Sequence, residues 1–163
     1  MLDRLSVLHP HFHDKKRHNM QVRVYQESDE QAVIALWNRL LEPRAPHNDP
    51  ALNIRKKLEV DRDLFFVATL DERVVGTVMG GYDGHRGWIY SVAVDTDCQR
   101  HGIGSALLRH VEAALIQRGC LKINLQVRAT NTEVIAFYEQ LGFEVEEIVS
   151  MGKRLYHGEI HGT

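Results

Sequence analysis

The chain's most suggestive chemistry lies where a strand gives way to a helix, in Val92-Ala93-Val94-Asp95-Thr96-Asp97-Cys98-Gln99-Arg100-His101-Gly102-Ile103-Gly104-Ser105. The first amides of a helix have no intrahelical partner, and glycine lets a ligand approach the backbone. Such a junction suits an anion, with a phosphate or pyrophosphate as the natural guest. A glycine-rich turn that merely enters a helix would give the same pattern. Two nucleotide motifs fail here. A dinucleotide fingerprint needs a third glycine where Leu107 stands, and a P-loop would end in Gly-Lys-Ser/Thr, which is absent. A nucleotide-binding protein using Gly102 and Gly104 for ATP is the weaker reading. Farther along, Asn131, Val134 and Tyr138 fall on one helix face, an amide and a phenol pointing the same way. Val134, Phe137, Tyr138 and Leu141 also form an ordinary apolar stripe, so the residues alone favour a core tyrosine.

Elements that could position these groups follow from periodicity. Gln21 to Gln26 alternates as a strand, and a helix follows, with Ser28 and Gln31 as its capping box. Leu41 to Pro50 holds three prolines and is a loop, with Asp49-Pro50 opening a second helix to about Val60. Leu64–Leu70, apolar on both faces, and Val74–Met79 form strands joined by Asp71-Glu72. Gly80, Gly81, Gly84 and Gly87 punctuate a hairpin loop before a fourth strand, Trp88–Val94. A helix from Ile103 stops at Gly119, and a fifth strand spans Leu121–Val127. Thr130 and Glu133 cap a helix that ends at Gly142, and Phe143–Val149 and Met151–Tyr156 read as two closing strands, with a bulge at Glu146-Glu147. The order β-α-α-β-β-β-α-β-α-β-β implies an α/β (α+β mixed) fold, a mixed sheet covered by helices.

Composition narrows the function classes. At roughly 100–200 residues per domain, 163 residues make one domain. The 44% hydrophobic content supplies one core and excludes disorder. A net charge of −2 argues against a sequence-independent grip on nucleic acid. The longest apolar run, about Leu64 to Leu70, is far short of the ~20 residues of a spanning helix. Two lone cysteines, Cys98 and Cys120, and no apolar leader suit a cytoplasmic protein, with Cys98 a solvent-exposed bystander. Residues 1–19 read as a mobile extension, 20–156 as the domain and 157–163 as a tail. His9, His11 and His13 have no carboxylate or cysteine at ligand spacing, so no metal site is expected.

Gln99-Arg100-His101-Gly102-Ile103-Gly104 resembles the Q/R-x-x-G-x-G/A signature of the GCN5-related N-acetyltransferase (GNAT) family. Val127-Arg128-Ala129-Thr130-Asn131 and Ala136-Phe137-Tyr138-Glu139-Gln140-Leu141-Gly142-Phe143 look like its second motif. The pattern is similar to the branch of ribosomal-protein N-terminal alanine acetyltransferases. The resemblance implies acetyl-CoA as cosubstrate and a single-domain fold whose central mixed, largely antiparallel sheet is flanked by helices. It implies that the backbone of Val92, Ala93 and Val94 holds the pantetheine arm and thioester. Amides across Arg100, His101, Gly102, Ile103, Gly104 and Ser105 would cradle the pyrophosphate. Asn131 would contact the coenzyme, and Tyr138 would be the general acid.

In that branch a glutamate assigned as general base stands where this chain has Gln126, which cannot accept a proton. Tyr90, His85, Glu146 and Glu147 are the substitutes near the expected substrate side. The acceptor implied is an amine on a small molecule, protein or peptide, with the enzyme a monomer or homodimer and no nucleic-acid or membrane partner. Gln126 keeps open a non-catalytic acyl-CoA sensor or interaction module of the same fold.

Overall fold

The computed structural model describes residues 19–41 and 45–156. Its elements run β1 (Met20–Val24), α1 (Glu30–Leu40), α2 (Pro50–Val60), β2 (Phe65–Leu70), β3 (Arg73–Tyr82), β4 (Gly87–Val94), α3 (Ile103–Gln117), β5 (Ile123–Leu125) and α4 (Thr132–Glu139). The five strands form one sheet in sequence order, antiparallel throughout except for the parallel β4–β5 pair.

Strand alternation divides the interior into two cores. Phe65 and Val67 of β2 point to one face, where they meet Val33, Leu36 and Trp37 of α1 and Ile54 of α2. Phe66 and Ala68 point to the other, against Ile103, Leu107, Leu108, Val111 and Leu115 of α3. β2 is therefore buried on both faces, as its unbroken apolar run requires. Each such side chain on α3 contributes about 1.5–3 kcal/mol on burial. That sum far exceeds a capping interaction of about 1 kcal/mol. The helix can therefore start at Gly102 with no side-chain cap, leaving its first amides to other partners.

Local chemistry moved several boundaries. The box expected at Ser28 and Gln31 is displaced by Asp29. Arg23 grips its carboxylate at 2.7 and 2.8 Å, and the Gln26 amide donates to it, so a 3-10 turn precedes α1. Asp49 caps α2 by accepting from the Leu52 amide at 2.7 Å, with Pro50 in the first turn. The β2–β3 turn at Asp71 and Glu72 takes positive φ at both residues, which suits the right-handed twist of a hairpin. α4 begins after Asn131, not through a Thr130–Glu133 box. Cys98 is buried, 3.7 Å from the Arg73 guanidinium, and not the exposed thiol expected.

The larger correction concerns the end of the chain. β5 shrinks to three residues, and Leu121, expected as its first residue, is 97% exposed. The strands expected over 143–149 and 151–156 do not form, nor does a bulge at Glu146-Glu147. So short a strand offers little edge for a sixth to pair with. Residues 143–156 are instead tied down by side chains: Glu146 to Lys122, Ser150 to Gln126, and the Tyr156 hydroxyl to His47 Nδ1 at 2.8 Å. The His-rich start, residues 1–18, and the tail 157–163 lie outside the described residues. No described helix is long and apolar enough to cross a membrane.

Candidate active site

The site is a split in the sheet. β4 and β5 pair only as far as Ile89 and Leu125, so the edge of β4 from Tyr90 to Val94 is open. A cavity of about 1080 Å³ occupies the gap. Val92, Ala93 and Val94 line one side, and Leu125, Gln126, Val127 and Arg128 the other, with Asn131, Val134 and Tyr138 contributed from α4 and its start. The loop before α2 supplies His47 and Asn48.

The conformation of β4 at the split is imposed from below. Against β3, register shifts between Thr77 and Met79, so Ser91 and Val92 together oppose Val78 in a bulge. Ser91 takes φ 52°, a left-handed conformation that costs a side-chain-bearing residue on the order of 1 kcal/mol. Two hydrogen bonds hold it there. The Thr77 hydroxyl donates to the Ser91 carbonyl at 2.9 Å, and the Trp37 indole donates to the Thr77 oxygen at 2.8 Å. Thr77 is fully buried and Trp37 nearly so. Thr77, a lone hydroxyl in the apolar run Val74–Met79, was the visible signal for this chain of bonds, and sequence reasoning missed it.

The two glycines at the start of α3 perform different tasks. Gly102 has φ 77°, and a Cβ there would meet nothing within 4 Å. Its surface is open, which fits close approach by a phosphate. A Cβ on Gly104 would sit 3.1 Å from Phe137 Cζ, so Gly104 lets α3 pack against α4. Arg100, His101 and Gly102 are exposed, Ile103 is buried in the core, and Gly104 and Ser105 are half-buried. None of the six lines the cavity itself, which reaches their loop at Gln99. His101 and Gln99 brace that loop, through His101 Nδ1 with the Gln99 carbonyl at 2.8 Å and Gln99 Nε2 donating to the Val94 carbonyl at 3.1 Å.

Tyr138 is buried between Phe137 and Phe143, and that burial pushes its phenol up to about 12, so it is protonated at neutral pH. Asn131 is exposed at the head of the same helix, its side chain not used as a cap. Of the substitutes for the missing glutamate, Tyr90 alone lines the cavity, and burial followed by the Asp61 charge raises its pKa, which makes its phenolate scarcer. His85 is in the exposed hairpin. Glu146 is paired with Lys122, and Glu147 is exposed. Beneath Tyr90 lies a residue that the sequence did not reveal, Lys57. Its ammonium donates to the Gly80 carbonyl, sits 3.8 Å from Asp61 and lies 5.6 Å from the Tyr90 ring centroid. Desolvation lowers it to about 8, with Asp61 opposing.

A split strand pair beside an uncapped helix start, in an antiparallel sheet with one parallel pair, fits a ligand that carries an anionic group. Residues 23–143 match the model of the Acetyltransferase (GNAT) family, and the chain belongs to that family. It is 46% identical over 136 residues to the acetyltransferase ECA0875 of Pectobacterium atrosepticum, covering 83% of this chain and 96% of that protein. Over the same spans it is 45% identical to the acetyltransferase YE1169 of Yersinia enterocolitica. Among solved structures it resembles the ribosomal-protein-S18-alanine N-acetyltransferase of Escherichia coli, at 28% identity and a TM-score of 0.66, with 77% of this chain and 78% of that one covered. The aminoglycoside N-acetyltransferase AAC(6')-Iy in complex with CoA shares the fold, with a TM-score of 0.73 at 18% identity over 87% and 99% of the two chains.

Proposed function

We propose that this acetyltransferase moves an acetyl group from acetyl-CoA to a primary amine, by direct attack while both are bound. The observation that carries the reading is the cavity along the open edge of β4, with Tyr138 in its wall and the Ser91 bulge locked in place behind it. The open, positive-φ surface of Gly102 and the uncapped start of α3 fit the pyrophosphate. Acetyl-CoA supplies the activated thioester. The chain's own groups do the rest. Backbone at Val92 to Val94 holds the carbonyl end of the arm and offsets negative charge developing on its oxygen. Asn131 contacts the coenzyme. Tyr138 keeps its proton at neutral pH and presents it to the departing sulfur, and the proton shed by the attacking nitrogen passes to water. Rate enhancement comes mainly from holding the two reactants together.

Gln126 donates to the Ser150 hydroxyl and takes up no proton. An amine that is already partly neutral is therefore the easier acceptor. At pH 7 an α-amine of pKa about 8 is about one-tenth free, whereas a lysine of pKa about 10.4 is free to under about one part in a thousand. The test is release of CoA thiol across N-terminal peptides, internal-lysine peptides, polyamines, amino acids and aminoglycosides, with Tyr138→Phe as control. Release with one amine class, lost in the control, supports the reading. Tight acetyl-CoA binding with no release on any amine would overturn it in favour of a sensor.

A further inference from the structure

A second cavity, of about 740 Å³, opens between the end of α2 and the β3–β4 hairpin. It meets the first along Ile89, Tyr90, Ser91 and Gln126, which line both. Its walls have a definite chemistry. Trp88 and Tyr90, two residues apart on β4, present their side chains to the same face and are 37% and 43% exposed. The Tyr90 ring leans over Gly81, where a Cβ would lie 3.6 Å from its hydroxyl. Tyr82 also lines the cavity, but its hydroxyl donates to the Gly119 carbonyl at 3.4 Å. Beside the indole stands Asp83. Its Oδ1 accepts from the His85 and Arg86 amides at 2.8 and 2.6 Å, while Oδ2 has only the long 3.4 Å contact from Trp88 Nε1 among the described residues. Those amides also hold the carboxyl below its usual range. Asn124, paired in register with Trp88, has its side-chain oxygen Oδ1 buried with no hydrogen-bond partner among the described residues, next to the cavity's lining but not part of it.

The Trp88 indole, the Tyr90 ring, which already has the Lys57 ammonium 5.6 Å from its centroid, and a fixed carboxylate with spare acceptor capacity make a cation receptor. We propose that this second cavity binds a cationic group on the acceptor, so that the substrate is an amine carrying a second positive charge remote from the reacting nitrogen. The inference rests on the acceptor reading above. The midpoint of Trp88 and Tyr90 lies three residues from Val92, at most about 10 Å since the Ser91 bulge shortens the extended rise, within the reach of about eight carbons. Monoamines fill the first cavity but leave the second empty.

The test is calorimetric titration of the CoA-bound protein with diaminooctane and with octylamine, a pair matched in spacer and differing in one charge. The diamine should bind about tenfold more tightly. Asp83→Asn, which keeps the Oδ1 acceptor and removes the charge, should erase most of that preference, and Trp88→Leu should reduce it. Should either variant fail to fold, the other carries the test. Equal binding of the two probes, or a preference unchanged in the variants, would overturn the proposal. The readout requires no turnover. A diamine preference without acetyl transfer to any amine leaves the cation site standing and sinks the catalytic reading, and transfer with equal probe binding does the reverse.

Discussion

The two walls of the central cavity are built in opposite ways. β4 has β3 along one side, a core of α1 side chains beneath it, and the Trp37–Thr77–Ser91 chain fixing its bulge. β5 is three residues long, none of them fully buried, and the chain beyond α4, outside the cavity's lining, leaves Val145, Ile148, Val149, Met151 and Leu155 each at least 70% exposed. The contrast teaches where precision is needed. A thioester must be held by fixed backbone groups, because electrostatic stabilisation without reorganisation depends on placement. The opposite wall carries no such requirement and can be looser.

The strongest way to break the comparison is at the rigid side's anion site. Gly102→Asp places a carboxylate in the open space over the start of α3 and a side chain on a φ of 77°. Acetyl-CoA binding measured by calorimetry should be lost, while the circular dichroism spectrum is kept. Normal binding by a folded variant would show that the coenzyme is held elsewhere. Next in size is Tyr138→Phe, which should lower kcat by at least about tenfold with acetyl-CoA affinity little changed. Unchanged turnover would remove the phenol from the mechanism and leave it a core side chain.

Thr77→Val tests the lock itself. The substitution preserves shape, deprives the Trp37 indole of its acceptor and frees the Ser91 carbonyl. Leaving a buried donor unpaired costs about 1–3 kcal/mol, so thermal unfolding should shift downward. If the bulge positions the thioester, kcat should fall about threefold to tenfold while the KM for amine stays near its original value. Thr77→Ser, which retains the hydroxyl, should restore both. A variant that loses stability but keeps kcat would make the chain a fold device only.

What was legible in the sequence divides along the same line. The rigid side could be read, because strand alternation in Phe65–Leu70 and helical spacing in Ile103–Leu115 are local signals that burial enforces. Gly102 stood out by type and place. The loose side misled: Phe143–Val149 has a strand's composition, but a strand needs an edge, and β5 supplies only three residues of one. Lys57 and Thr77 were illegible for another reason. Each is a polar residue whose partners, Gly80 and Tyr90 for one and Trp37 and Ser91 for the other, lie far along the chain. Thr77 stood out as a lone hydroxyl in an apolar run, but the neighbours of neither residue name its partners.

Lys57 gives the smallest expected effect and the most direct reading of the boundary between the walls, since it sits under Tyr90, which lines both cavities. Its pKa falls from 10.5 to about 8 on folding, because burial disfavours the ammonium more than Asp61 favours it. Between those values the unfolded chain binds more protons than the folded one, so this group makes stability rise with pH from about 8 to about 10.5. Below about 8 the folded protein carries the full cost of a buried charge. Lys57→Met retains the stem and removes the charge. In denaturant titrations at steps across that window, the wild-type curve should climb relative to the variant's, and the two should run parallel below it. Parallel curves throughout would mean that water reaches the ammonium, and that the floor beneath Tyr90 belongs with the loose wall.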